Sequence, residues 1–171
     1  QSPAIQALRL TSDLLAFQQQ TLIFVRTRRA VEILFKELKD RFPDINIQAY
    51  RSGYLPVERR QIEGQLRSGE TRVAVATNAL ELGIDIGGMN AVLLVGYPGT
   101  IAATVQQSGR AGRKKDTYVA VLIASQNPLD QYLMKHPEFL LARTPEQARC
   151  DPDNLLILLG HLRCAAFELP F

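Results

Sequence analysis

Residues 106–116 read QQSGRAGRKKD, two glycines and four cations within eleven residues. Arg110 and Arg113 stand three apart, each directly after a glycine. Side chains at that spacing share one side of a helical turn, and a glycine lets backbone approach a ligand closely. Guanidinium planes match phosphate oxygens two at a time. The chemistry this pattern suits is delivery of positive charge to a phosphate. The alternative is a solvated basic turn that follows a helix.

The elements that must position those arginines alternate along the chain. TLIFV (21–25), INIQAY (45–50), RVAVAT (72–77), AVLLVG (91–96) and TYVAVLIA (117–124) are short, apolar and rich in β-branched residues, which predicts buried strands. Ala30, Ile33, Leu34, Leu38 and Phe42 recur at helical spacing between the first two strands. A second amphipathic helix is expected over 56–67, opened by Pro56, and a third from about 100 to 107. Strands alternating with helices predict an α/β fold with a doubly wound, mostly parallel sheet.

In such a sheet ligands bind beyond the carboxyl ends of the strands, so the loops there carry the next candidates. Arg26, Arg28 and Arg29 follow the first strand, Arg51 and Gly53 the second, Thr77 and Asn78 the third, and GYPGT the fourth. Gly83, Asp85 and Gly87 lie between the third and fourth. Small hydroxyl and amide groups, glycines and arginines are the repertoire for gripping a sugar-phosphate backbone. Each loop taken singly also fits a helix cap or a solvated first turn. Their recurrence at every strand end favours the phosphate reading.

With 171 residues, 46% of them hydrophobic and 22% charged, the composition is that of an ordinary globular domain. The net charge of +3 is mild, so a nucleic-acid role must rest on where the charges sit. Cys150 and Cys164 form no CxxC pair, so no metal site and a reduced, cytoplasmic setting are expected. No apolar run reaches membrane-spanning length. GQLRSGET (64–71) has the glycine spacing of a P-loop, but Glu70 stands where that motif needs lysine, and the order is helix then strand. His136 and His161 are isolated in sequence and expected to be structural. From residue 127 the rhythm breaks into a proline-containing stretch, followed by NLLILLGHLRCAAFEL, one helix capped by Asp153 or Asn154 and apolar on nearly every face. The expected division is a helical lead-in over 1–20, the α/β domain over 21–126 and an extension over 127–171. Both ends are expected to continue in a longer polypeptide.

The order of segments TLIFVRTRR, AYRSGY, VAVATNALELGIDIGGMNAVLLVGYP and QQSGRAGR resembles motifs four, four-a, five and six of superfamily-two helicases, across about residues 21–124. The chain is similar to the second RecA-like domain of DEAD/DEAH-type enzymes. YRSGY, ATNALELGIDIGG and the extension from NPLDQYLMKHPEFL onward resemble the mitomycin-repair helicases (MrfA, also YprA) and their fungal Hrq relatives. Those are DNA-repair enzymes moving 3′ to 5′, with a four-cysteine zinc-binding region further along.

The resemblance implies roles at the matching positions. Arg110 and Arg113 would be arginine fingers, and Gln106 would lie near the γ-phosphate. Gly83 and Asp85 would face the nucleotide, Asp85 near the ribose. Arg26, Arg51, Gly53, Thr77 and Asn78 would track the strand. Gln107 replaces the first arginine of the DEAD-box pattern, which argues against an RNA-helicase subtype. The implied cofactor is ATP with Mg²⁺, held mainly by a first RecA-like domain. The implied partners are single-stranded DNA, that first domain and the C-terminal zinc-binding region, with no membrane. The chain alone is then expected to be inactive. The alternative is a RecA-like module that binds nucleic acid or protein without ATP chemistry.

Overall fold

The computed structural model describes residues 2–81, 83–112, 118–146, 151 and 153–168; Arg113, Lys114 and Lys115 lie outside the described residues. Five strands, β1 (Thr21–Phe24), β2 (Ile47–Tyr50), β3 (Val73–Ala76), β4 (Ala91–Val95) and β5 (Val119–Ile123), form a sheet ordered β2-β3-β1-β4-β5. Each pairing is parallel, with Thr21 opposite both Val73 and Ala91. Among the described residues seven α-helices accompany them: α1 (Pro3–Ala16), α2 (Arg28–Arg41), α3 (Pro56–Ser68), α4 (Ile101–Ser108), α5 (Pro128–Lys135), α6 (Glu138–Leu141) and α7 (Leu155–Glu168).

Alternation along each strand builds a core on each side of the sheet. Leu22, Phe24, Ala74, Val92 and Leu94 face one way, against Ile62 and Leu66 of α3 and Leu80, Ile86 and Met89 of the β3–β4 loop. Ile23, Val25, Val73, Val75 and Leu93 face the other, against Val31, Leu34 and Leu38 of α2 and Ala7 of α1. Steps to the left in the sheet use the α2 face and steps to the right use the α3 face, which is what right-handed crossovers require. Each fully buried aliphatic side chain stabilises the fold by about 1.5–3 kcal/mol before entropy is counted.

The sequence expectations shift in detail. The strands are shorter at their ends, because the flanking residues cap or turn: β2 begins at Ile47, not 45. The buried stripe of α2 runs through Val31, Leu34 and Leu38, while Ile33 is 47% exposed. Thr27 sets that phase, because its hydroxyl accepts the Ala30 N–H at 3.1 Å and starts the helix. Residues 64–71 end α3 at Gly69 in a left-handed conformation (φ +81°) and lead into β3, so they build no phosphate cradle. Asn154 Oδ1 accepts the Ile157 N–H at 3.3 Å at the start of α7, and α7 has no buried residue among those described. His136 pairs with Glu138 at 3.1 Å and stacks on Tyr132.

Candidate nucleic-acid and nucleotide interface

Because the strands are parallel, their carboxyl ends share one edge. Across that edge, in sheet order, follow Arg51 after β2, Thr77 after β3, Arg26 after β1 and Gly96 after β4. Arg26, Asn78, Gly96, Pro98 and Gln107 line a cleft of about 250 Å³. Arg26 and Asn78 are exposed in it. Thr77 is only 7% exposed; its hydroxyl accepts the Ala79 N–H at 3.5 Å and caps a 3₁₀ turn, Asn78–Leu80, that presents Asn78 to the cleft.

The first turn of α2 carries Arg28 and Arg29 and no acid. Cations at a helix N-terminus oppose the macrodipole, so their placement is costly unless an anion approaches. Arg28 Nη2 donates to Ser52 Oγ at 2.7 Å, which ties this turn to the loop after β2. Arg51 is not in the cleft. Its Nε donates to Glu32 Oε1 at 2.6 Å, its guanidinium lies 4.9 Å from the Tyr54 ring centroid, and the Glu32 bond pushes its pKa further up. Gly53, at φ +104°, lies beside the Arg51 guanidinium.

The β3–β4 loop, residues 77–90, runs from the cleft across the α3 face of the sheet. Its far part holds Gly83 and Asp85, both exposed. Arg67 of α3 donates from Nε and Nη2 to the Asp85 carbonyl at 3.1 and 2.5 Å, and its Nε lies 3.5 Å from the exposed Asp85 carboxylate.

The α4 segment fastens the same loop from the other side. Arg110 donates from Nε and Nη2 to the Glu81 carbonyl at 3.2 and 2.7 Å, and from Nη1 to the Ile84 carbonyl at 2.6 Å. Gln107 Nε2 donates to Glu81 Oε2 at 2.9 Å. Backbone bonds link Met89 N–H to the Arg110 carbonyl and Gly112 N–H to the Met89 carbonyl, at 3.0 and 2.9 Å. Gln106 is exposed in the last turn of α4. Gly112 is required by its φ of +121° and by the Tyr118 ring, which lies 3.1 Å from where a Cβ would stand.

The structure thus brings Arg26 and Asn78 together at the cleft and sets Arg110 beside the loop that bears Gly83 and Asp85. Arg51 and Gly53 sit apart, and Arg113 is outside the described residues. Sequence reasoning missed Glu81, and read Gln107 only as a departure from the DEAD-box pattern. Their pairing is long-range, and the only local signal was a polar residue at each position within otherwise recognisable motifs. Among the described residues no helix is long and apolar enough to cross a membrane, and no group of three or more His, Cys, Asp or Glu could hold a metal.

A five-stranded parallel sheet flanked by helices is the architecture of RecA-like helicase C-terminal domains. The chain belongs to the family described as the helicase conserved C-terminal domain, whose model matches residues 6–115. It is 46% identical over 166 residues to a Bacillus subtilis protein named uncharacterized ATP-dependent helicase YprA, covering 95% of this chain and 22% of that one. Against ATP-dependent helicase HRQ1 of Saccharomyces cerevisiae it is 39% identical over 176 residues, covering 96% and 16%. A crystal structure of the DUF1998 helicase MrfA bound to DNA and AMPPNP superposes with a TM-score of 0.91 and 44% identity, over 100% of this chain and 25% of that one. Mycobacterium smegmatis helicase Lhr bound to ssDNA and AMP-PNP gives 0.78 and 25%, over 96% and 22%. The chain therefore spans about a quarter or less of these relatives.

Proposed function

We propose that this chain is the C-terminal motor half of an ATP-dependent DNA helicase acting in DNA repair. The observation that carries the reading is the clasp on one loop: Asn78 stands at the cleft end of residues 77–90, and Arg110 holds Glu81 and Ile84 further along. In this reading a shift of Arg110 is passed along the loop to Asn78, three residues before Glu81. The repair assignment rests on the resemblance to the mitomycin-repair helicases, and the relatives bound to DNA and AMPPNP support the choice of ligands.

In this reading Arg26, Thr77 and Asn78 hold phosphates of single-stranded DNA without reading sequence. Arg51 and Gly53 extend the track once Arg51 exchanges Glu32 for a phosphate. The described residues fit one side of a nucleotide: exposed Gly83 and Asp85 would border the ribose, while Gln106 and Arg110 would bring polar and cationic groups to the γ-phosphate, joined, as the motif resemblance implies, by Arg113. The three carbonyl bonds of Arg110 use three of its five N–H donors, so it can hold the loop and still offer donors outward. Phosphoryl transfer needs charge at the equatorial oxygens, delivered by groups already in position. The P-loop lysine and the carboxylates for Mg²⁺ belong to a first RecA-like domain, so this chain alone hydrolyses no ATP.

The test is single-strand binding by the intact protein as salt is varied. Arg26→Ala should weaken binding to all sequences alike and lower the log–log salt slope by roughly 0.7, one phosphate contact on a single strand. An unchanged slope, or a loss confined to one sequence, would remove the cleft from the strand path.

A further inference from the structure

The loop 96–100, GYPGT, supplies Gly96 and Pro98 to the cleft and is gripped from both sides by carboxylates that follow the α/β core. Asp130, in the first turn of α5, is 2% exposed. Its Oδ1 accepts the Tyr97 N–H at 3.4 Å and its Oδ2 accepts the Ser125 N–H at 2.8 Å. Glu146 approaches the other end of the loop. Its two oxygens accept the Ile101 and Ala102 N–H groups at 2.7 and 3.0 Å, where α4 begins.

We propose that residues 127–146 form a strap in which Asp130 and Glu146 act as positioning residues for the strand-binding cleft, by fixing the 96–100 loop at both ends. The inference rests on the cleft being the strand site, as proposed above. Gly96 shows how direct the link is. A Cβ on it would stand 3.6 Å from Asp130 Oδ2 and 3.8 Å from Arg26 Cδ, and its φ of +84° suits glycine. The buried carboxylate and the Arg26 stem therefore flank one residue of the cleft wall. A buried carboxylate is costly unless its oxygens are satisfied, so Asp130 has a strong reason to keep both N–H partners. The loop end is thereby held to β5 through Ser125.

Glu146 works at the other end by a different means. The N-terminal N–H groups of a helix lack internal partners, and here Glu146 takes those of Ile101 and Ala102 while Thr100 Oγ1 takes that of Ala103 at 3.0 Å. These bonds, that from Ala102 foremost, hold the Glu146 carboxyl below the usual glutamate range. The same carboxylate and, more strongly, burial push the Tyr97 phenol up.

Charge and positioning predict opposite signs for Glu146, which makes the test decisive. Removing a negative charge from this edge would by itself tighten DNA binding, whereas releasing the loop weakens it. The experiment is ATP hydrolysis by the intact protein, titrated with a single-stranded oligonucleotide, for Glu146→Ala, Asp130→Asn and Arg26→Ala. Glu146→Ala should raise the half-saturating DNA concentration several-fold, with turnover at saturating DNA near that of the unaltered protein. Glu146→Gln, which keeps one acceptor, should recover part of the loss. A half-saturation point that is unchanged or lowered in Glu146→Ala overturns the strap, as does a fall in saturated turnover without a shift in half-saturation. Because Glu146 is exposed, its replacement reads out even if Asp130→Asn fails to fold. If Arg26→Ala shifts half-saturation and Glu146→Ala does not, the strap alone falls. If neither shifts it, the cleft reading falls first.

Discussion

The two parts of the 77–90 loop are held in different ways. At the strand-facing end a capped 3₁₀ turn, Asn78–Leu80, leaves Asn78 exposed beside an exposed Arg26. At the far part, which the proposed reading turns toward the nucleotide, Glu81, Ile84 and Asp85 all give their carbonyls to arginines, from α3 on one side and from the α4 segment on the other. A surface that must accept any sequence of phosphates gains from open cations and mobile amide groups. A surface that must present charge to a transition state gains from being fixed in advance, since preorganised donors need no rearrangement when the reaction occurs. In the proposed reading one continuous loop serves both needs, with Leu80, Ile86 and Met89 anchoring it to the sheet along its length.

The largest effect that would sharpen this contrast is at Arg113. Lysine there keeps the charge and loses the planar fork, so Arg113→Lys should lower DNA-stimulated turnover of the intact protein by about 10³ or more. Its DNA affinity without nucleotide should stay within a few-fold. Near-normal hydrolysis would return QQSGRAGR to a solvated basic turn, and lost DNA binding with normal hydrolysis would move it to the strand face.

Gly112→Ala should be next in size. The φ of +121° strains any residue but glycine, and a methyl group would crowd the Tyr118 ring at 3.1 Å, so the fixed side of the comparison loses stability, by about 1–3 kcal/mol in a denaturant titration. A neutral result would mean that Tyr118 swings away without cost.

The smallest expected effect lies in the side chain of Tyr50, at the end of β2. Tyr50 donates to Glu63 Oε1 at 2.6 Å, and burial first, then Glu63, pushes its phenol up to about 12. A folded-state value raised above the unfolded one near 10 gives stability that is complete below about pH 10 and lost as pH rises toward 12. Tyr50→Phe should cost about 1 kcal/mol at neutral pH and abolish that alkaline loss, which thermal melts across pH 8–11 (roughly, spanning the unfolded tyrosine value) would reveal. A variant that still loses stability over the same range would assign the transition to another group.

The sheet was legible because Leu22–Phe24, Val73–Ala76 and Ala91–Val95 are apolar on both faces, as central parallel strands must be, and because Pro56 and Gly69 mark the ends of α3. The strand-end loops were legible from topology alone, since parallel strands place Arg26 and Asn78 on one edge. What one-dimensional reading could not supply was the partner of each polar group. Arg51 reads as a free cation until Glu32, nineteen positions earlier, meets it across the α2–β2 contact. Asp130 looks like an ordinary first-turn acid after Asn127, yet its oxygens serve Tyr97 and Ser125. Arg110 reads as a projecting finger, and its bonds to carbonyls 26 and 29 residues away carry no sequence signature, because any residue can offer a carbonyl. The apolar pattern of α7 predicted the helix and says nothing of what lies against it.

If Arg110 joins the two parts of one loop as proposed, Arg110→Lys separates them. Lysine cannot bridge the Glu81 and Ile84 carbonyls with a planar fork, so both functions should suffer together. The measurement is DNA-stimulated ATP hydrolysis and single-strand affinity on the same preparation of the intact protein. Turnover should fall by at least about a hundredfold and affinity for single-stranded DNA should weaken several-fold, unlike in Arg113→Lys, which should leave affinity nearly intact. Affinity at the unaltered level, whatever happens to hydrolysis, would contradict the claim that this arginine couples the two sides.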